Sequence, residues 1–187
     1  MRPHAAALAL FALLSASGPA LADDSDRPAW HLDFDAAYGR SVVQFFSAGS
    51  VVPSCGCTEA PFSRRTVHAT MGVGHGVVTL EASLLVPLDD NDVGFIPWSL
   101  GLRIDSSFSA PIALEVRLAY VNRWGDVPGN GMRAGIGLAL RPFRWLAAYA
   151  DALMDVTSVP QEMGDRGTLF SYATLLEAGA RVSFFGP

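Results

Sequence analysis

The sequence predicts an all-β protein: an eight-stranded antiparallel up-and-down transmembrane β-barrel that turns its apolar faces outward. Three observations predict it. Segment after segment alternates apolar and polar residues with period two, the signature of a strand with two unlike faces. Half of the 187 residues are hydrophobic and mean hydropathy is +0.29, yet no mature segment approaches the roughly 18 uninterrupted apolar residues of a membrane helix. The connections also sort by length. Long ones follow strands one, three, five and seven, and short ones follow two, four and six, as in membrane barrels with turns at one end and loops at the other.

The first residues read as a cleaved secretory signal peptide over 1–22, preceding one barrel domain over 23–187. Arg2 and His4 form a short basic region, Ala5–Leu14 is apolar, and Ala20-Leu21-Ala22 is a small-x-small cleavage site before Asp23. The barrel therefore folds outside the cytoplasm. Net charge is −5 and all 13 basic residues are Arg, which argues against nucleic acid as a partner and reads as a genomic bias in composition. Cys55 and Cys57 flank Gly56. In an oxidising compartment they close a tight disulfide or remain free thiols. No His lies in that segment to complete a metal site.

The strands follow in order. Trp30–Tyr38 sets Trp30, Leu32, Phe34, Ala36 and Tyr38 against His31, Asp33 and Asp35. Gly39–Arg65 reads as a long loop rich in Ser, Gly and Pro. Thr66–Val73 turns at Gly74-His75-Gly76 into Val78–Val86, and the acidic loop Pro87–Pro97 follows. That loop lacks the ligand spacing of a calcium site. Trp98–Asp105, the turn Ser106–Pro111 and Ile112–Val121 come next; Pro111 stands at a strand start, where proline is tolerated. The loop Asn122–Gly131 leads to Met132–Arg141 and the turn Pro142–Arg144. Trp145–Val156 fits a helical stripe as well as a strand, and its alternating neighbours select the strand. The loop Thr157–Phe170 leads to the last strand, Ser171–Phe185. Aromatic residues gather at both ends, with Trp30, Phe108, Phe143, Trp145 and Phe184 near the turns and Tyr38, Trp98, Tyr120 and Tyr172 near the loops. Two interfacial girdles are expected from this.

The last strand, E-A-G-A-R-V-S-F-F, places Glu177, Gly179, Val182 and Phe184 at the polar, glycine and hydrophobic positions of a C-terminal assembly signal. In this strand, and in the pattern of the whole mature chain, the protein resembles small bacterial outer-membrane barrels of the OmpA, OmpX and OmpW type. It departs from them in carrying Gly186-Pro187 after the terminal aromatic, and a peptidoglycan-binding domain of the OmpA kind is not expected. The resemblance implies residence in the outer membrane of a Gram-negative bacterium, with external loops at the cell surface. It also implies outer-membrane lipid, lipopolysaccharide and the barrel-assembly machinery as partners.

Eight strands enclose an interior that side chains fill. The inward set is expected to include Asp33, Asp35, Glu81, Asp105, Glu115, Asp151, Asp155 and Glu177 with Arg103, Arg117, Arg133, Arg141, Arg181, His31 and His68. Mixing both signs is what a plugged interior requires, since charges of one sign alone could not be buried. Lipid A-modifying barrels of the deacylase and palmitoyltransferase kinds use His with Ser and a carboxylate near the outer rim. His68 is the best candidate base, but His68-Ala69-Thr70 lacks the serine, and His31 lies at the opposite end. No catalytic residue, metal or cofactor is assigned. The expectation is a non-enzymatic outer-membrane barrel with a structural or surface-interaction role and a charge-plugged lumen. A small channel for ions or hydrophobic solutes is the alternative, and a lipid A-modifying enzyme ranks below it. A soluble barrel would have to invert every strand.

Overall fold

A computed structural model describes residues 30–48, 62–89, 95–107, 110–125, 128–159 and 168–186. The signal segment, Cys55, Cys57 and Phe108 lie outside them. Eight strands follow one another: β1 (His31–Ala48), β2 (Phe62–His75), β3 (Val78–Pro87), β4 (Phe95–Asp105), β5 (Ile112–Gly125), β6 (Gly129–Phe143), β7 (Leu146–Val159) and β8 (Thr168–Phe185). Each pairs with the next in antiparallel register, and β8 returns to β1 to close the barrel. The seam runs from His31 opposite Phe185 to Ala48 opposite Thr168, so no edge strand is left open to another chain.

The period-two sequence converts directly into two environments. Ile112, Leu118, Leu138 and Leu176 are 50–61% exposed on the outside, whereas Glu115, Arg103 and Asp33 are at most 1% exposed within. Water would reverse that arrangement, because burying charge and exposing Leu both oppose the hydrophobic effect. A solvent of acyl chains requires it. β7, whose pattern fitted two periods, is a strand paired with β6 and β8. The end bearing the short turns carries exposed Trp30, Phe143, Trp145 and Phe184, with Phe143 stacked on Trp145 at 5.6 Å. Toward the other end, Tyr38, Tyr120 and Tyr172 are exposed, and Trp98 packs against Tyr120 and Trp124 at 6.2 and 5.7 Å.

The strands are longer than the turn signals indicated. β1 continues past Gly39 to Ala48, and β2 begins at Phe62 rather than Thr66. Gly39 is a spacer and not a breaker. It faces inward opposite Glu177, and a Cβ there would lie 2.6 Å from the Leu176 carbonyl oxygen and 2.8 Å from the Glu177 Cβ. The connection after β5 shrinks likewise from Asn122–Gly131 to residues 126–128, because Asn122 pairs with Asn130 across the hairpin. That connection is shorter than the one after β4, residues 106–111, so the strict alternation of long and short connections fails at strand five. The β2–β3 turn is held by Gly76 at φ 60°, a left-handed conformation that glycine adopts without steric cost.

Candidate functional site

Among the described residues, the lumen is where this fold concentrates chemistry. Among the described residues it holds eight buried carboxylates and seven guanidiniums, Arg141 having a side chain only 9% exposed. The inward faces of β1, β3, β4, β5, β6 and β8 bring most of them together in the half nearer the turns. There Arg103 on β4 reaches Glu81 and Asp33 with separate nitrogens, donates to Thr79 Oγ1 at 3.2 Å, and lies 3.2 Å from Asp105. Arg181 on β8 donates from Nε to Asp35 at 2.9 and 3.1 Å and from both Nη atoms to Glu115 at 2.5 and 2.9 Å. This is the forked geometry that guanidinium supplies and ammonium cannot. Arg117 on β5 sits 3.2–3.7 Å from Asp151, Asp35, Glu115 and Glu81. Arg141 on β6 donates to Asp105 at 3.0 Å and to the Ser107 carbonyl oxygen, tying the network to the turn.

Tyr149 on β7 separates two of these cations. Arg117 and Arg181 lie 5.3 and 5.1 Å from its ring centroid, where the negative face of the ring offsets their repulsion. Room for the cluster comes from glycine. A Cβ on Gly137 would overlap the Asp151 carboxylate, and one on Gly74 would overlap the His31 ring.

A smaller cluster lies above the first. Arg133 on β6 holds Asp155 on β7 at 2.7 and 2.9 Å, and its third nitrogen lies 3.3 Å from His68 Nε2. His68 Nδ1 lies 2.9 Å from both Glu177 oxygens. With the Arg133 N–H aimed at Nε2, that nitrogen accepts and Nδ1–H donates to Glu177. Both ring nitrogens are thereby occupied, and the position His68 would need for proton transfer to a substrate is taken by Arg133. His31 Nε2 faces Thr79 Oγ1 at 3.0 Å, but that hydroxyl also accepts from Arg103 and is completely buried. No group of three metal-ligating side chains occurs among the described residues.

Arg64 and Arg123 fall in stretches that read as loops in the sequence, yet both are inward and at most 3% exposed. Their guanidiniums lie over the Phe95 ring at 4.4 and 4.7 Å from its centroid, and Arg123 donates to Ser171 Oγ at 2.5 Å. The signal was present in the continued period: Arg64, Thr66, His68 and Thr70 face one way, as do Arg117, Ala119, Val121 and Arg123. These two arginines matter to the charge balance. Without them the lumen would hold eight carboxylates against five guanidiniums; with them it is within one charge of neutrality. Of the proposed assembly-signal residues, Glu177 lies in the lumen against His68, and Phe184 is exposed on the outside.

The filled section leaves little space. A void of about 10 Å³ between His68, Glu81, Ser83, Ser99, Arg117 and Arg133 is room for about one water.

Comparison with known proteins bears on the architecture. The chain is similar in structure to Neisserial surface protein A, with 14% identity, a TM-score of 0.52 and coverage of 83% of this chain and 97% of that one. The fold is that of a small outer-membrane β-barrel. Lower similarity extends to the AlkL outer-membrane protein (13% identity, TM-score 0.45, 88% and 95% covered) and to Ail of Yersinia pestis (12%, 0.42, 80% and 97%). No protein-family model and no curated protein matches the sequence.

Proposed function

We propose that this protein is an integral, non-enzymatic barrel of the outer membrane, with residues 49–61, 88–94, 126–128 and 160–167 facing the cell surface. In this reading a cleaved signal peptide exports the chain, the barrel-assembly machinery inserts it, and lipid with lipopolysaccharide surrounds it. Its role is structural or one of surface contact, and the lumen is a brace rather than a path. The observation that carries this reading is the near-neutral, interlocked charge network. Arg103, Arg117 and Arg181 each contact carboxylates from at least two other strands, so the network ties the barrel wall together across its interior. Such a network is strengthened by excluding bulk water, since water would screen the pairs it relies on.

The test is single-channel recording with the refolded mature protein in a planar bilayer. Silence at ±100 mV is expected for the brace. A stable ohmic conductance, altered by Arg133→Gln, would overturn it in favour of a small ion channel. Mass spectrometry of lipid A after expression addresses the enzyme reading, and an unchanged lipid profile is expected.

A further inference from the structure

The lipid-facing surface is free of charge on the described strands except at one place. Arg40 on β1 and Arg65 on β2 both point outward and are register partners across the β1–β2 hairpin. Their height can be worked out. Arg40 stands ten residues above Trp30 of the lower girdle; at about 3.3 Å per residue and a tilt of about 40°, that is about 25 Å, the height of the apolar band of such barrels. The two arginines therefore lie at headgroup level, just above exposed Tyr38. Asp89 clamps Arg65, accepting from its Nε at 2.8 Å and from its backbone N–H at 2.6 Å, while Arg40 Nε donates to Ser63 Oγ at 2.6 Å. Two guanidiniums against one carboxylate leave one positive charge, held in a fixed place.

Below this pair the barrel wall is indented. A groove of about 580 Å³ is floored by Ala69 and Ala82 and walled by Phe34, Met71, Leu84 and Trp98. Met71 lies six residues below Arg65 on β2, about 20 Å along the strand and about 15 Å along the membrane normal at that tilt. That distance is half the roughly 30 Å hydrocarbon core, so the groove, whose β2 lining runs from Ala69 to Met71, lies within the depth an acyl chain of one leaflet reaches.

We infer that Arg40 and Arg65 with the groove beneath them form a site for a phosphorylated glycolipid of the outer leaflet. The phosphate sits on the two guanidiniums and one acyl chain lies over Ala69 and Ala82. Guanidinium suits this ligand because its planar fork matches a phosphate with two parallel hydrogen bonds. Small residues suit the chain because they leave a channel between larger neighbours. The inference rests on the orientation proposed above, which puts this end of the barrel in the outer leaflet.

The test is native mass spectrometry of the refolded mature protein with bisphosphorylated lipid A and with dephosphorylated lipid A as probes. The phosphorylated form is expected to be retained about tenfold better, the scale of one or two charge-assisted hydrogen bonds. Arg40→Gln with Arg65→Gln should abolish that preference, and Ala82→Phe, which faces lipid and fills the groove, should weaken both forms alike. Heat-modifiable gel mobility checks that each variant is folded. Equal retention of both lipids, or a preference that survives the double substitution, would overturn the inference. Full competition by inorganic phosphate would also overturn it, reducing the site to one for a bare anion. An epitope inserted in 160–167 scores the orientation separately. If the epitope is reached on intact cells and no lipid preference is found, this inference alone fails; if it is reached only after permeabilisation, the orientation fails.

Discussion

Replacing Arg181 with Leu would show whether the lower lumen acts as one electrostatic unit. Arg181 is 2% exposed and makes four hydrogen bonds to Asp35 and Glu115, between 2.5 and 3.1 Å. Removing one partner of a buried pair costs typically about 3–5 kcal/mol, because the remaining charge is left without compensation. Here the carboxylates are not wholly orphaned. Asp35 keeps Arg117 at 3.4 Å and Arg103 at 3.5 Å, and Glu115 keeps Arg117 at 3.6 Å and Arg141 at 3.9 Å. The expected loss therefore falls at the low end, about 3 kcal/mol, or roughly two orders of magnitude in the unfolding constant. Adding Glu115→Leu restores the charge balance and should recover most of it, about 2 kcal/mol, leaving the double variant within about 1 kcal/mol of the parent. Urea titration of protein refolded into phospholipid vesicles, followed by tryptophan fluorescence, measures all three. A single variant within about 0.5 kcal/mol of the parent, or a double variant less stable than the single, would refute the reasoning.

Three further outcomes are expected. Val116, outward between Ile104 and Ile136, should accept Leu, whereas Val116→Arg should cost about 2–4 kcal/mol near the midplane, read as a loss of the heat-modifiable band. Gly137→Ala places a methyl on the Asp151 carboxylate and should cost about 1–3 kcal/mol as an overpacked interior does, lowering the urea midpoint. The Asp89 carboxyl, which accepts from the Arg65 backbone N–H and guanidinium, is held below the ordinary carboxylate range. Its contribution is thus present above the unfolded value and lost as pH falls through the lowered folded one. Carbon NMR should find it titrating below an ordinary aspartate and rising in Arg65→Gln; a normal titration in the parent would remove the clamp from the argument.

How much of this was legible in the sequence differs by residue. Strand identity and facing were readable because one rule, alternation, governs every strand of a barrel, and Ile112–Val121 carries it without interruption. Strand ends were not, because the rule for ending a strand is local while the reason for extending one is not. Gly39 reads as a breaker on its own, and only the Glu177 side chain on β8 shows why a glycine is needed there. Arg64 and Arg123 lie past the same local signals, in stretches that read as loop. Three uncompensated carboxylates inside a closed barrel are too costly to bury, and these two arginines supply most of the missing charge. The pairing itself was beyond the sequence. That Arg181 meets Asp35 and Glu115 follows from the barrel's closure, which joins residues separated by 146 and 66 positions.

The strand lengths carry a last consequence. A membrane barrel needs only about 9–11 residues per strand, and β1 and β8 have 18 each. At about 3.3 Å per residue and about 40° of tilt, 18 residues rise about 45 Å against an apolar band of about 25 Å. The surplus continues above Tyr38 as paired sheet, from Val42 opposite Thr174 to Ala48 opposite Thr168. Backbone held in paired sheet is ordered before any partner arrives, so binding there would forgo much of the entropy cost that a loose loop incurs. Exposed Val42 and Tyr172 lie on its outer face, while inward Ser41, Thr157 and Ser171 continue the polar lumen beneath it. Under the proposed surface-contact role, the brace and the surface it presents are therefore one object. The charges that hold the barrel shut also fix the position of the strands that project from it, and a variant that loosens Arg133 from Asp155 should disturb both.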